Sequence, residues 1–198
     1  MITEHRRCTI PRTMALTLVL ALAAAACGDD TTTTTTNSYS SANGGFTFSY
    51  PGNWEAIPGL ETAAQVGRVD VIDFVAVGVL DPTSTNLIGA SVEADSLSAV
   101  VSVSDERLFL ESQFDLVMTD LAAQAGGTIT RPEWTTVAGH DARIYVIESV
   151  VRGQVLTSRM TAVVVGDRFY KILCQAPPEE FAATTPGCDL IASTFALP

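Results

Sequence analysis

The sequence predicts an α+β fold, an antiparallel β-sheet with helices packed against it. Two observations carry this. Residues 141–174 divide into three runs, 141–151, 154–165 and 168–174, rich in Val, Ile, Tyr, Phe and Thr, which fit a pleated surface. They are joined by Arg152-Gly153 and Gly166-Asp167, and Gly accepts the positive φ that tight hairpins need. The second observation is one long amphipathic run, 104–125, ended by Gly126-Gly127. A three-strand meander is not stable alone, and this helix supplies a layer for it.

The front of the chain reads as a targeting segment. Arg6, Arg7 and Arg12 precede an uncharged run, 14–26, that ends in Ala24-Ala25-Ala26-Cys27. This run is too short for a membrane span, which needs about 20 residues, and fits a signal-peptide core. Small residues directly before a Cys resemble a bacterial lipoprotein signal. That implies a signal peptide over 1–26 and Cys27 as the acylated first residue, carrying palmitate-type chains. The Leu usual three places before the Cys is Ala24 here, with Leu22 nearby. The competing reading is a plain secretory signal, with Cys27 a spare thiol. Acylation would anchor the chain without spanning the bilayer.

Loss of 1–26 removes Arg6, Arg7, Arg12 and Glu4, leaving 8 basic and 21 acidic residues, a net charge of −13. That balance argues against nucleic acid as a partner and against electrostatic docking on anionic lipid. Residues 27–44, with six consecutive Thr, are too polar to bury a core and read as a flexible tether. The folded domain is expected over 45–198, long enough for one real core. With Cys8 in the removed segment and Cys27 taken up by acylation, Cys174 and Cys188 are the thiols that remain. In an oxidising compartment they predict one structural disulfide, not a redox pair, which usually sits as Cys-x-x-Cys.

Taken in order, Phe46-Thr47-Phe48-Ser49-Tyr50 alternates with its aromatics on one face and predicts a half-buried strand. Pro51-Gly52-Asn53 is a turn signal, and 54–57 is expected to return as the second strand of a hairpin. Residues 66–80 form a long strand with apolar residues on both faces, so both are expected to be covered. Asp73 is the exception. The partner strand is 87–94. In the helix, Ser104 can cap, Asp105 and Glu106 suit the positive end, and Leu110, Phe114, Val117, Met118, Leu121 and Ala125 form one stripe. A strand at 128–134 leads through Ala138-Gly139-His140 into the meander. Pro177-Pro178 ends the sheet, Glu179-Glu180 opens a helical turn, and 188–195 closes the chain as a helix.

The opening Phe46-Thr47-Phe48-Ser49-Tyr50-Pro51-Gly52-Asn53-Trp54 is followed by a two-strand ribbon, a long helix, a three-strand meander and a terminal helix with Ser193-Thr194-Phe195. This order resembles the PsbP-like family, including bacterial lipoproteins of the LpqN and DcrB kind, over about 45–197. The resemblance implies an α/β/α sandwich with helices on both faces of the antiparallel sheet. It also implies a binding or assembly role, not an enzyme. Such an analogy carries fold better than function.

His140 is the single mature histidine, and one His without a nearby Cys is a poor zinc candidate. His140-Asp141 could orient a nucleophile such as Ser158, yet no Gly-x-Ser-x-Gly elbow exists. Asp70 and Asp73 lie three apart on a strand, hence on opposite faces. No calcium loop and no phosphate-cradling Gly-rich loop is present, so no cofactor is implied. Trp54 and Trp134 read as core or rim residues. If a site exists, the expectation is a groove between sheet and helix near Tyr50, Trp54 and Trp134. The function expected is a non-enzymatic cell-envelope protein, held at the membrane through its N-terminal lipid, binding a protein partner or apolar ligand. An alternative is a carrier of lipid or amphiphile, with a cavity lined by Ile72, Phe74 and Leu80. An unrecognised hydrolase using His140 is the remote alternative.

Overall fold

The computed structural model describes residues 35–57, 71–81, 86–97, 105–124, 127–130 and 132–198. The expected signal peptide, Cys27, Ser104 and Asp70 lie outside these residues. In chain order the strands are β1 (Thr36–Ser40), β2 (Thr47–Pro51), β3 (Glu55–Ala56), β4 (Val71–Leu80), β5 (Leu87–Ser96), β6 (Thr128–Ile129), β7 (Glu133–Val137), β8 (His140–Val151), β9 (Gln154–Val165) and β10 (Arg168–Ala176). Between β5 and β6 run α1 (Glu106–Leu108), a π-helical segment (Phe109–Phe114) and α2 (Asp115–Gln124). The chain closes with α3 (Pro178–Thr194). The fold is α+β and mostly antiparallel sheet.

The meander forms as read. Val151 pairs with Gln154, and Arg168 with Val165, so each turn holds two residues. Arg152 and Gly153 both take positive φ, 52° and 80°, the backbone a two-residue hairpin with right-handed strand twist demands. The larger sheet runs β3-β4-β5-β10-β9-β8-β6, with β7 also paired to β8. The last strand in sequence is therefore central, between β5 and β9.

Several expectations need correction. The stretch 27–44 is not tether throughout, because Thr36–Ser40 is a strand and the fold begins before residue 45. β2 pairs with β1, not with the strand after the turn, while β3 joins the main sheet beside β4. The Trp54 turn thus hands the chain from ribbon to sheet. The strand read at 128–134 is two short pieces, β6 and β7, on one edge of β8. The closing helix begins at Pro178, ten residues before the expected start, and carries Pro186 within it.

The long helix starts one residue later than read, capped by Asp105 and not by Ser104. Asp105 is the N-cap, and its Oδ1 accepts the Leu108 N–H at 2.9 Å. Its apolar stripe differs from the expected one. Leu110 and Met118 are buried and Phe114 packs beside them, but Val117 is 49% exposed. The π segment supplies the reason: Asp115 N–H bonds back to Leu110, five residues earlier, so the following turn is rotated against 3.6-residue spacing. Side-chain positions of Leu121 and Ala125 lie outside the described residues.

Alternate residues of β9 join different apolar clusters. Val163 packs with Val75, Val77, Val92, Ile172, Phe46, Phe48, Trp54 and with Ile191 and Phe195 at the chain end. Ala162 and Val164 pack with Tyr145, Phe169, Leu110 and Met118. Cys174 and Cys188 form a disulfide, with Cα atoms 5.9 Å apart, that ties β10 to α3. Asp73 explains itself: it sits at a β-bulge in β4, accepts the Phe74 N–H at 2.8 Å through Oδ1, and takes the Ser41 hydroxyl through Oδ2.

Candidate functional site

The β7–β8 edge concentrates unusual side chains. β7 pairs with β8 in register, Trp134 opposite Arg143 and Thr135 opposite Ala142. Successive residues of β7 point to opposite faces. Val137 accordingly joins the cluster of α3, while Trp134 packs against the cluster of the π segment and α2.

Trp134 is gripped by two cations. The Arg107 guanidinium carbon lies 4.1 Å from the ring centre and that of Arg143 lies 4.5 Å from it. Arg107, on α1, also meets Asp141 at 2.9 Å, an ion pair half exposed on both sides. Arg143 is buried and forks onto Asp115, Nε donating to Oδ1 at 3.2 Å and Nη2 to Oδ2 at 2.7 Å. The hydroxyl of Tyr145, a fully buried residue, donates to the same Asp115 Oδ1 at 2.6 Å. Asp115 is the residue where the π segment returns to α-helix. Burial alone would raise its carboxyl, but hydrogen bonds from Arg143 and Tyr145 outweigh that and hold it below the usual range. Burial and the bond to Asp115 push the Tyr145 phenol well above its ordinary value. The arrangement locks an anion, a cation and a neutral phenol, and so fixes Arg143 under Trp134.

Across β7 lies a half-open groove of about 290 Å³ between the sheet and α3. Thr135, Thr161 and Ser193 bring hydroxyls to its lining, Val137 and Ile144 its apolar part. Arg159 Nη2 and Asp189 Oδ1 close at 2.5 Å across it, with Asp189 60% exposed. Its exposed lining is mostly apolar, with the hydroxyls and the ion pair set into it.

A second charged cluster lies within the sheet. Lys171 Nζ on β10 meets Glu93 Oε2 at 2.8 Å and Asp95 Oδ2 at 2.9 Å on β5, with all three side chains nearly buried. Burial raises the Glu93 carboxyl, against the pull of Lys171 and with the help of Asp95. Among the described residues, no group of three His, Cys, Asp or Glu is placed to hold a metal.

The expected site residues do not converge. Tyr50 and Trp54 pack with the α3 cluster and Trp134 with the other, so no one groove gathers them. Trp54 lies under α3 and is 9% exposed. Ile72 packs on the α3 cluster while Leu80 is 38% exposed, so they do not line a common cavity with Phe74. Ser158 pairs with Ile147, seven residues along β8 from His140, which separates His140 from Ser158 by about 23 Å. No triad assembles there. Arg143, Asp115 and Tyr145 were missed by sequence reading. One signal was present: Arg143 shares one face of β8 with Tyr145 and Ile147, which belong to an apolar cluster.

No family model matches the sequence, and no curated relative does. Solved structures do match in shape. The solution structure of cyanobacterial PsbP (CyanoP) from Synechocystis superposes with a TM-score of 0.56 at 15% identity, covering 87% of this chain and 97% of that one. The fold is PsbP-like. A second PsbP-like match is LpqN of Mycobacterium tuberculosis, described as involved in cell envelope biogenesis, with a TM-score of 0.52 at 11% identity over 83% of this chain and 91% of that one. A longer Bacteroides thetaiotaomicron protein matches with a TM-score of 0.50 at 10% identity, over 81% of this chain and 48% of its own. At such identities the PsbP-like likeness speaks for architecture alone.

Proposed function

We propose that this is a non-enzymatic, lipid-anchored protein of the bacterial cell envelope, on the extracytoplasmic face of its membrane, that binds a protein partner along β7. Its architecture in this reading is the α/β/α sandwich, supported by the alternate residues of β9 that join the helical segment on one side and α3 on the other. The acylation signal at Ala24-Ala25-Ala26-Cys27 supports the anchor. The envelope role described for LpqN is consistent with the location. No described helix is long and apolar enough to cross a membrane.

The observation that carries the binding reading is the open edge of β7. Among the described residues this strand pairs with β8 alone. An extended segment can add to such an edge, main-chain bonds giving affinity and flanking side chains giving choice. Here the flanks are the largely apolar groove with its few hydroxyls on one face and the Trp134 stack on the other. A photo-crosslinking residue at exposed Thr136, in acylated protein on native membranes, tests it. One discrete protein adduct, weakened by Trp134→Ala, is expected. Adducts no different from those at exposed Asp120 reject the reading.

A further inference from the structure

Among the described residues, one end of the sheet carries a set of exposed apolar side chains, with exposed Glu179 and Glu180 opening α3 just past β10 at the same end. Val79 and Leu80 at the end of β4 are 53% and 38% exposed, and Val150, Val151 and Val155 at the β8–β9 turn are 57%, 39% and 50% exposed. These two hairpin ends are not sequence neighbours, yet they are clasped together. Asn86 Nδ2 donates to Val151 O at 3.2 Å and to Gln154 Oε1 at 2.9 Å, and Gln154 Nε2 donates to Asp81 Oδ2 at 3.0 Å. The clasp is built from buried Asp81 and Asn86, so the apolar residues share a rigid support. Arg152 stands at the tip itself, while the carboxylates of Glu55 and Glu148 are set back, opposite Gly78 and Thr157.

The chain enters the fold at this same end. Thr36 pairs with Pro51, and Gly52 N–H donates to Thr35 O at 2.8 Å. Three residues on, Glu55 pairs with Gly78, directly before Val79. The opposite end of the ribbon points away: Ser41 binds Asp73 near the start of β4, and Gly44 O accepts from Arg168 at the start of β10. Because β1 is folded, eight residues, 28–35, separate Cys27 from the domain. Fully extended they reach no more than about 29 Å.

We infer that the valine end, Val79, Leu80, Val150, Val151 and Val155, rests on the lipid bilayer that holds the acyl chain, and so fixes how the domain faces away from it. The inference rests on the acylation at Cys27 proposed above. Once that anchor is in place, contact at the tip is intramolecular, so weak apolar insertion is enough to orient the body. β7 and its groove then stand clear of the lipid, available to a partner.

The test uses the acylated full-length mature protein in phosphatidylcholine vesicles with brominated acyl chains. Val155→Trp adds a reporter at the tip and Leu116→Trp one on the exposed face of α2, where Leu116 is 67% exposed. Trp54 and Trp134 emission in the unsubstituted protein is the baseline. Bromine should remove at least a third of the added emission at 155 and leave that at 116 unchanged. Vesicle flotation and the mass of the Cys27 peptide are read on the same samples. Flotation with no quenching at 155, or equal quenching at both sites, overturns the docking while leaving the anchor intact. An unmodified Cys27 overturns both readings together.

Discussion

Gly187 of α3 lies flat against the indole of Trp54. A Cβ at position 187 would stand 2.6 Å from Trp54 Cζ2 and 2.9 Å from Pro51 Cγ. The glycine, following Pro186, weakens the helix by its own propensity, yet it lets the ring that caps the ribbon slide under α3.

Gly187→Ala therefore sets two effects against each other. Helix propensity favours Ala by about 1 kcal/mol. Overpacking against Trp54 costs about 1–3 kcal/mol, more where the ring cannot move. The buried indole has little room, so a net loss of stability is expected by urea denaturation. A stabilised variant would show that the ring yields.

The Cys174–Cys188 bridge closes a loop with a sequence separation of 14 and sits in the core, each residue 2% exposed or less. In the chain-entropy account such a loop is worth about 3 kcal/mol. A Cys174→Ala/Cys188→Ala variant should melt roughly 6–12 °C lower for a domain of this size. Reduction of the native protein should also be slow until urea opens the α3 contact. Fast reduction in buffer would place the sulfurs at the surface.

Acid should act on Asp115 and Glu93 in opposite directions. Asp115 is held below its ordinary 3.8, so the unfolded chain takes up protons first and stability is lost as pH falls through the folded value. Glu93 is raised above 4.5 by burial, so the folded chain holds its proton longer and stability declines as pH climbs from 4.5 through the raised value. Asp115→Asn should flatten the acid limb of unfolding midpoint against pH, and Glu93→Gln the limb above 4.5. Curves parallel to the unsubstituted protein would place both groups in ordinary solvent.

Sequence pattern read the meander almost to the residue because its signals are local. Two-residue turns with glycine, flanked by β-branched runs, leave few other solutions. The ribbon was missed for the opposite reason. β1 carries one apolar ring, Tyr39, among Thr, Asn and Ser, and becomes a strand because β2 is there to pair with it. The charged cluster at Lys171 hid in a misleading cue. Glu93 and Asp95 alternate with Val92 and Ala94, the pattern of a half-solvated strand. Only the register that sets Lys171 against Glu93 makes that polar face an interior one. The Trp134 site was half legible. The indole was singled out, but its partners come from α1, α2 and β8, and nothing along the chain announces the π turn that aims Asp115.

The folded ribbon has a practical consequence for anyone who cuts this gene. A boundary drawn at the aromatic-rich start, near Phe46, would delete the strand whose Tyr39 ring lies 5.5 Å from Phe48 and 6.0 Å from Phe46. The fragment would leave an unpaired, greasy margin on β2, the kind of surface that drives inclusion bodies. Cloning from Thr35 or earlier keeps that margin covered.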